Sequence, residues 1–221
     1  MSDFLLIRHG ETDLAGTFCG HSNPSLNERG RQQVAALINA LAEQRIESVY
    51  SSDLLRAQET ARPLGAAKGA SLCSLAGLRE INFGAWEGLR WNEVEASNRQ
   101  YAERWLTEYP SLGAPEGETV DAFEARVVAT IEPLLRRDMG PIAVVSHAGV
   151  MRVILRRFGG FTEEQCFASS KEYCSVVRLA RCAGEGLSDY CKELHGESQW
   201  TMHAEESPGV VTNCVTFSDR R

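Results

Sequence analysis

Long apolar runs are the first thing this chain lacks. Between Asp3 and Arg8 stand only four consecutive apolar residues, whereas a signal-peptide core takes roughly 7–15 and a membrane-spanning helix about 20. The expectation is a cytoplasmic protein with no membrane partner. Long basic runs are lacking too, and the formal net charge is −7, which makes nucleic acid and anionic membranes poor partners. A small anion held by a few local arginines is compatible with that balance. Paired cysteines are missing as well: the seven, Cys19, Cys73, Cys166, Cys174, Cys182, Cys191 and Cys214, are odd in number and contain no C-x-x-C. Neither a secreted disulfide framework nor a zinc ribbon is indicated. Intervals of eight and nine residues separate Cys166, Cys174, Cys182 and Cys191 and match no common ligand spacing, so these read as reduced cysteines, several of them core. No cluster of Asp and Glu suggests magnesium, and no metal or cofactor is expected.

What the chain does have is two apolar strands that each run straight into a histidine and a glycine. Leu5-Leu6-Ile7 leads into Arg8-His9-Gly10-Glu11-Thr12, and Ile142-Ala143-Val144-Val145 leads into Ser146-His147-Ala148-Gly149. A parallel sheet delivers reactive side chains to its rim in this way. Either histidine alone is as readily explained by a hydrogen bond to a backbone carbonyl. Two of them, with Arg8 beside one, point to a site.

Strands are expected at Phe4 to Arg8, Glu47 to Ser51, Ser71 to Leu75, Ile142 to Ser146 and Ser175 to Arg181, most of them separated by helical periodicity. The alternation predicts an α/β fold: a three-layer sandwich with a mostly parallel central sheet and helices on both faces. One helix begins near Asn27 with Val34, Leu37, Ile38 and Leu41 on a buried stripe. A second follows Ser52 and Asp53, both good capping residues, and carries Arg56 in its first turn. A third runs from Thr119 through Val120, Phe123, Val127, Ile131 and Leu134, with Pro133 kinking or breaking it. A fourth, after His147, stops at Gly159-Gly160. The segment between Gly84 and Gly117 breaks the alternation; rich in Trp86, Trp91, Trp105 and Tyr109, it reads as one or two helices plus a loop. Its aromatics either line a binding surface or close the end of the core. After Ala180 the composition changes, so residues 181–221 read as a C-terminal extension, an added hairpin or a partly ordered tail. His195 and His203 there read as surface residues.

The runs Arg8-His9-Gly10-Glu11-Thr12, Ser51-Ser52-Asp53-Leu54-Leu55-Arg56-Ala57-Gln58-Glu59-Thr60-Ala61, Leu78-Arg79-Glu80-Ile81-Asn82-Phe83-Gly84-Ala85-Trp86-Glu87-Gly88 and Ser146-His147-Ala148-Gly149 together resemble the ordered motifs of the histidine phosphatase superfamily, the phosphoglycerate mutase-like enzymes. The resemblance covers about residues 4–180 and implies a phosphatase domain over 1–180. It also implies that the insertion at about 84–117 is a small helical cap over the rim of the sheet, where substrate choice is made. The run from Glu80 to Gly88 is most similar to the phosphatase branch, alpha-ribazole phosphatases and fructose-2,6-bisphosphatases in particular.

Phosphoryl transfer needs an in-line nucleophile, donors around the three equatorial oxygens and a proton for the leaving group. His9 is the nucleophile candidate, attacking through one ring nitrogen while the other keeps its proton against a carbonyl; the product is a phosphohistidine. Arg8 and Arg56 offer rigid donor forks for phosphate and depress the His9 pKa by like-charge repulsion. His147 is expected to stay protonated or to donate to the equatorial oxygens. Gly10 and Gly149 permit close backbone approach, and the amides from Ala148 onward, at a helix start, offer further donors. The resemblance places the proton donor at Glu80; Glu87 is a rival acid, and pairing of Glu80 with Arg79 or Arg90 is the plain structural reading. By the same resemblance Thr12, Cys19 and Gly20 touch substrate, with Ala15 and Cys19 departing from the Asn and small hydroxyl seen in relatives.

These residues imply a metal-independent phosphomonoesterase acting on a small phosphorylated substrate, with alpha-ribazole 5'-phosphate as one candidate. A mutase needs extra cations over the site, and the segment 84–117 sets Arg90, Arg99 and Arg104 against Glu87, Glu93, Glu95, Glu103, Glu108 and Glu116. Phosphoglycerate mutase and sugar bisphosphatase remain alternatives, as does a non-catalytic phosphate-binding or interaction module. Edge pairing of Val210 to Thr216 is a route to a homodimer, resting on a short β-prone run.

Overall fold

A computed structural model describes residues 3–136, 140–180, 203–207 and 210–214. Its parallel strands are β1 (Asp3–Arg8), β2 (Ser48–Ser51), β3 (Ser71–Ser74) and β4 (Ile142–Ser146), joined by β5 (Val176–Ala180), β6 (His203–Ser207) and β7 (Val210–Cys214). The order across the sheet is β3-β2-β4-β1-β5-β7-β6. The first four run parallel, β5 lies antiparallel to β1, and β7 is parallel to β5.

Strand β1 from Phe4 to Ile7 and β4 from Ile142 to Val145 are wholly apolar because both of their faces are covered. Phe4, Leu6 and Val144 meet α5 (Val120–Arg136) and α6 (Ala148–Gly159), while Leu5, Ile7, Ala143 and Val145 meet α1 (Glu28–Ala40) and α2 (Leu55–Lys68). The result is the three-layer sandwich, with Leu6, Ile7, Leu37, Ile131 and Ile154 wholly buried. Each such side chain contributes about 1.5–3 kcal/mol of burial free energy.

Several local expectations need revision. Asn27 caps α1 as expected, its side chain accepting the Gly30 N–H, but Ser52 and Asp53 do not cap α2. Leu54 holds that position without a side-chain bond, and Asn23 reaches in to accept the Leu55 N–H at 2.6 Å. Asp53 is drawn away by a two-pronged bond to Arg79, at 2.7 and 2.6 Å. Helix α5 runs on through Pro133 to Arg136: the proline gives up its own N–H bond to the Ala129 carbonyl without ending the helix. Helix α7 (Glu163–Ser170), opened by a Thr162–Gln165 capping box, has no counterpart in the sequence reading. The Val210-Val211-Thr212 run pairs within the chain, since β7 lies between β5 and β6; His203 falls in β6, and His195 and Thr216 lie outside the described residues. Among the described residues no helix is long and apolar enough to cross a membrane.

The insertion forms α3 (Trp91–Ser97) and α4 (Arg99–Glu108). Trp86, Val94 and Ala102 make a small core of their own, with Phe18, Phe83, Trp91, Tyr101 and Trp105 around it. Trp86 is 4% exposed and stands edge-on to Tyr101 and Trp105, so it closes this core. Leu106 and Tyr109 stay exposed.

Candidate active site

Four parallel strands each deliver one group to the same rim. The β1–β4 register sets Arg8 opposite Ser146, so the next residues, His9 and His147, emerge side by side with ring centroids 5.0 Å apart. Strand β2 passes through Ser52, whose N–H donates to the Val145 carbonyl at 3.0 Å, into α2 and Arg56. Strand β3 leads to Glu80, and Ser146 anchors that connection through a 2.7 Å bond from its hydroxyl to the Leu78 carbonyl.

His9 is 7% exposed, and its Nδ1 lies 2.7 Å from the Gly10 carbonyl. A carbonyl only accepts, so Nδ1 carries the proton and Nε2 keeps its lone pair. Burial, then Arg56 and Arg8, hold the His9 pKa well below the ordinary value of 6.5. Desolvation is thus the larger cause, ahead of the like-charge repulsion inferred from sequence.

Arg56 is fully buried. Its guanidinium donates to the carbonyls of Ser22 at 2.7 Å, Gly20 at 2.8 Å and Cys19 at 3.2 Å, and its Nε–H to His9 Nε2 at 3.3 Å. Arg8 donates to the carbonyls of Ser170 and Lys171 and lies 4.0 Å from the centroid of the Tyr173 ring.

Of the two states expected of His147, a standing cation or a donor, its surroundings disfavour the cation. It is 1% exposed with neither ring nitrogen partnered, and burial, then Arg56, push its pKa well below 6.5. So placed, it is a neutral imidazole with one N–H to give.

The Glu80 carboxylate is 8% exposed and accepts the N–H groups of Ile81 at 3.0 Å and Gly149 at 2.9 Å. Neither Arg79 nor Arg90 pairs with it through its side chain: Arg79 is committed to Asp53. Glu87 is disqualified as the acid because four N–H groups, from Gly20, His21, Ser22 and Phe83, converge on its two oxygens. Burial works to raise its pKa, but bonds from Ser22, Phe83 and His21 prevail and hold it below the ordinary carboxylate value.

The secondary candidates divide. Gly10 gives its N–H to the Thr60 hydroxyl at 3.0 Å, and Gly149 gives its own to Glu80, so neither amide is free. Thr12 is buried and its hydroxyl accepts the Leu14 N–H, a turn-forming role. Cys19 and Gly20 border the site through carbonyls held by Arg56, and burial raises the Cys19 thiol pKa. Ala148 opens α6 beside His147.

The sequence pattern of the histidine phosphatase superfamily (branch 1) matches residues 4–189. The chain belongs to this superfamily. The Mycobacterium tuberculosis protein named Bifunctional protein Rv2228c is 36% identical over 156 residues, 69% of this chain but 43% of that protein, so the chain spans under half of that relative. An Arabidopsis thaliana protein named metal-independent phosphoserine phosphatase is 33% identical over 165 residues, 71% of this chain and 68% of that one. The crystal structure of the alpha-ribazole phosphatase from Shigella flexneri matches with a TM-score of 0.73 at 25% identity, covering 82% of this chain and 91% of that one.

In this histidine phosphatase fold two site residues escaped the sequence reading. Tyr173 lies 5.6 Å from the His9 ring and under Arg8; it is carried there by the loop after α7, where Cys174 has a positive φ of 56°, and no periodicity announces such a turn. Arg126 on α5 holds the Glu80 connection, donating to the carbonyls of Gly77 and Arg79, both at 3.0 Å, while paired with Glu118. An arginine on the polar side of an amphipathic helix carries no signal of that task.

Proposed function

We propose that the chain is a metal-independent phosphomonoesterase that works through a phosphohistidine on His9. The observation that carries this reading is the unprotonated Nε2 of His9, aimed at Arg56 and flanked by His147. A phosphoryl group entering there meets a neutral nucleophile whose tautomer is already fixed. Arg56, Arg8 and His147 then face the equatorial oxygens. His147 takes up a proton as the dianion arrives, because the anion offsets the burial and the Arg56 charge that otherwise keep the imidazole neutral. Glu80 gives a proton to the leaving alkoxide and afterwards removes one from the attacking water. Guanidinium groups supply the charge stabilisation that a metal supplies in other phosphoryl transfers.

Hydrolysis is favoured over mutase chemistry by the state of the cap cations. Arg99 is paired with Glu103 and Arg104 with Glu108, at 2.8 Å each, so of the three cap arginines only Arg90 has no carboxylate partner among the described residues. The substrate is a monoester of a small alcohol. Alpha-ribazole 5'-phosphate suits the aromatic cap, where half-buried Trp91 and Trp105 and exposed Tyr109 offer ring faces; phosphoserine is the rival suggested by the Arabidopsis relative.

The test is a screen of wild type and His9→Ala against alpha-ribazole 5'-phosphate, phosphoserine, 3-phosphoglycerate and fructose 2,6-bisphosphate, with trapping of acid-labile phosphoprotein. Turnover and trapping lost together in the variant support the reading and rank the substrates. Turnover retained by His9→Ala, or absent from wild type, turns the case to a phosphate-binding module.

A further inference from the structure

Glu87 is the most heavily coordinated carboxylate around the site, yet its partners are all backbone or hydroxyl. Oε1 accepts from His21 at 2.7 Å and Phe83 at 3.0 Å, and Oε2 accepts from Ser22 at 2.9 Å and Gly20 at 3.1 Å. Three successive amides converging on one anion form a nest, and here the anion is the protein's own. The carbonyls of the same loop, at Cys19, Gly20 and Ser22, accept from Arg56. Asn23, the next residue, caps the helix that carries Arg56. Residues 19–23 are therefore a strap with Glu87 pulling on its amides and Arg56 on its carbonyls.

The strap has no slack. A Cβ on Gly20 would fall 2.0 Å from the Ile81 carbonyl oxygen and 2.4 Å from Glu87 Oε1. Arg56 is wholly buried, so water cannot replace a carbonyl that moves away. The far end is fixed to the cap: Trp86, beside Glu87, is buried in the aromatic core, and Phe18 pairs its backbone with Gly88 and Leu89.

We propose that Glu87 is a positioning residue for the reaction: by holding the amides of residues 20–22 it sets the carbonyls that orient Arg56, and so sets the Arg56 Nε–H against His9 Nε2. The proposal rests on the phosphohistidine reading of His9. It separates Glu87 from proton transfer, since an acid with four N–H donors on its oxygens has no proton to give.

The experiment compares wild type, Glu87→Gln and His9→Ala with p-nitrophenyl phosphate, measuring kcat, KM and the single-turnover rate of phosphohistidine formation. In Glu87→Gln the carboxamide turns an NH₂ against amides that need an acceptor. The kcat and the single-turnover rate should both fall about 10–100-fold, the scale of a displacement of about 1 Å at a reacting group, while KM changes less than about threefold. A merely structural Glu87 would lower the melting temperature and the fraction of active sites in the phosphohistidine burst but leave kcat per active site unchanged; that result overturns the proposal. Glu87→Asp, which keeps the charge and withdraws the oxygens by one methylene, carries the same test if Glu87→Gln does not fold. Failure of the underlying reading looks different, because wild type then forms no phosphohistidine or His9→Ala still turns over.

Discussion

Arg56 donates its Nε–H to Nε2 of His9 at 3.3 Å, on the ring nitrogen that His9 keeps unprotonated. The pair is buried, and the partners of the guanidinium among the described residues are three carbonyls and this imidazole. A buried cation that faces dipoles and no carboxylate is an incomplete ion pair. An anion beside His9 would complete it, taking the Nε–H that now rests on Nε2.

Arg56→Lys tests the fork. A lysine keeps the charge but cannot span the carbonyls of Cys19, Gly20 and Ser22 and the His9 ring at once. At least one buried carbonyl is then left unpaired, at about 1–3 kcal/mol, and kcat should fall by roughly 10²–10³, the scale for loss of a transition-state donor. Denaturant unfolding and steady-state kinetics on the same preparation check both. Unchanged kcat would remove Arg56 from the reaction.

The two buried histidines make stability depend on pH in a known direction. Both pKa values lie well below 6.5 in the folded chain, whereas the unfolded chain takes up its protons near 6.5. Below that value the unfolded state binds more protons, so folding stability is fully present above about pH 6.5 and is lost as pH falls toward the depressed values, at up to about 1.4 kcal/mol per pH unit for each histidine. Melting curves between pH 7.5 and 5 should show the decline, and a flatter profile in His147→Gln would confirm the contribution of His147. Inorganic phosphate should soften the decline, because it favours the protonated form of His147.

The ends of β1 and β4 were legible because each pairs an apolar run with a reactive residue, as at Ile7-Arg8-His9 and Val145-Ser146-His147, whereas Glu80, six residues beyond β3, was reached only through the family resemblance. Helix stripes such as Val34, Leu37 and Leu41 were equally plain. What stayed hidden is what depends on distant partners. Nothing local says that Asp53 will prefer Arg79 to the end of its own helix, that Asn23 will cap that helix in its place, or that Glu87 will collect amides instead of holding a proton. Which of its two expected states His147 takes was undecidable for the same reason: its charge follows from burial, then from Arg56, His9 and Arg8, whose placement is set by folding.

Chelation separates this chemistry from metal-dependent phosphoryl transfer. In the proposed mechanism an incoming phosphate meets Arg8, Arg56 and His147, whose donors would stabilise the transition state without a metal cation. Turnover after exhaustive treatment with EDTA should match the untreated enzyme. Loss of activity in chelator with recovery on adding a divalent ion would count against the proposed mechanism.

Gly149 places Glu80, and the placement makes a prediction about leaving groups. A Cβ at residue 149 would lie 2.2 Å from Glu80 Oε1, so Gly149→Ala must move the carboxylate and lengthen the 2.9 Å bond to its own amide. A displaced acid matters most where the leaving group is basic. With an alkyl phosphate the loss in kcat/KM should be on the order of 10²-fold, while p-nitrophenyl phosphate, whose phenolate leaves with little protonation, should lose less than about tenfold. Glu80→Gln should reproduce the pattern more steeply with the strand ends undisturbed. Equal losses for both leaving groups in both variants would mean that the proton comes from elsewhere, and Glu80 would then be an anchor for the start of α6.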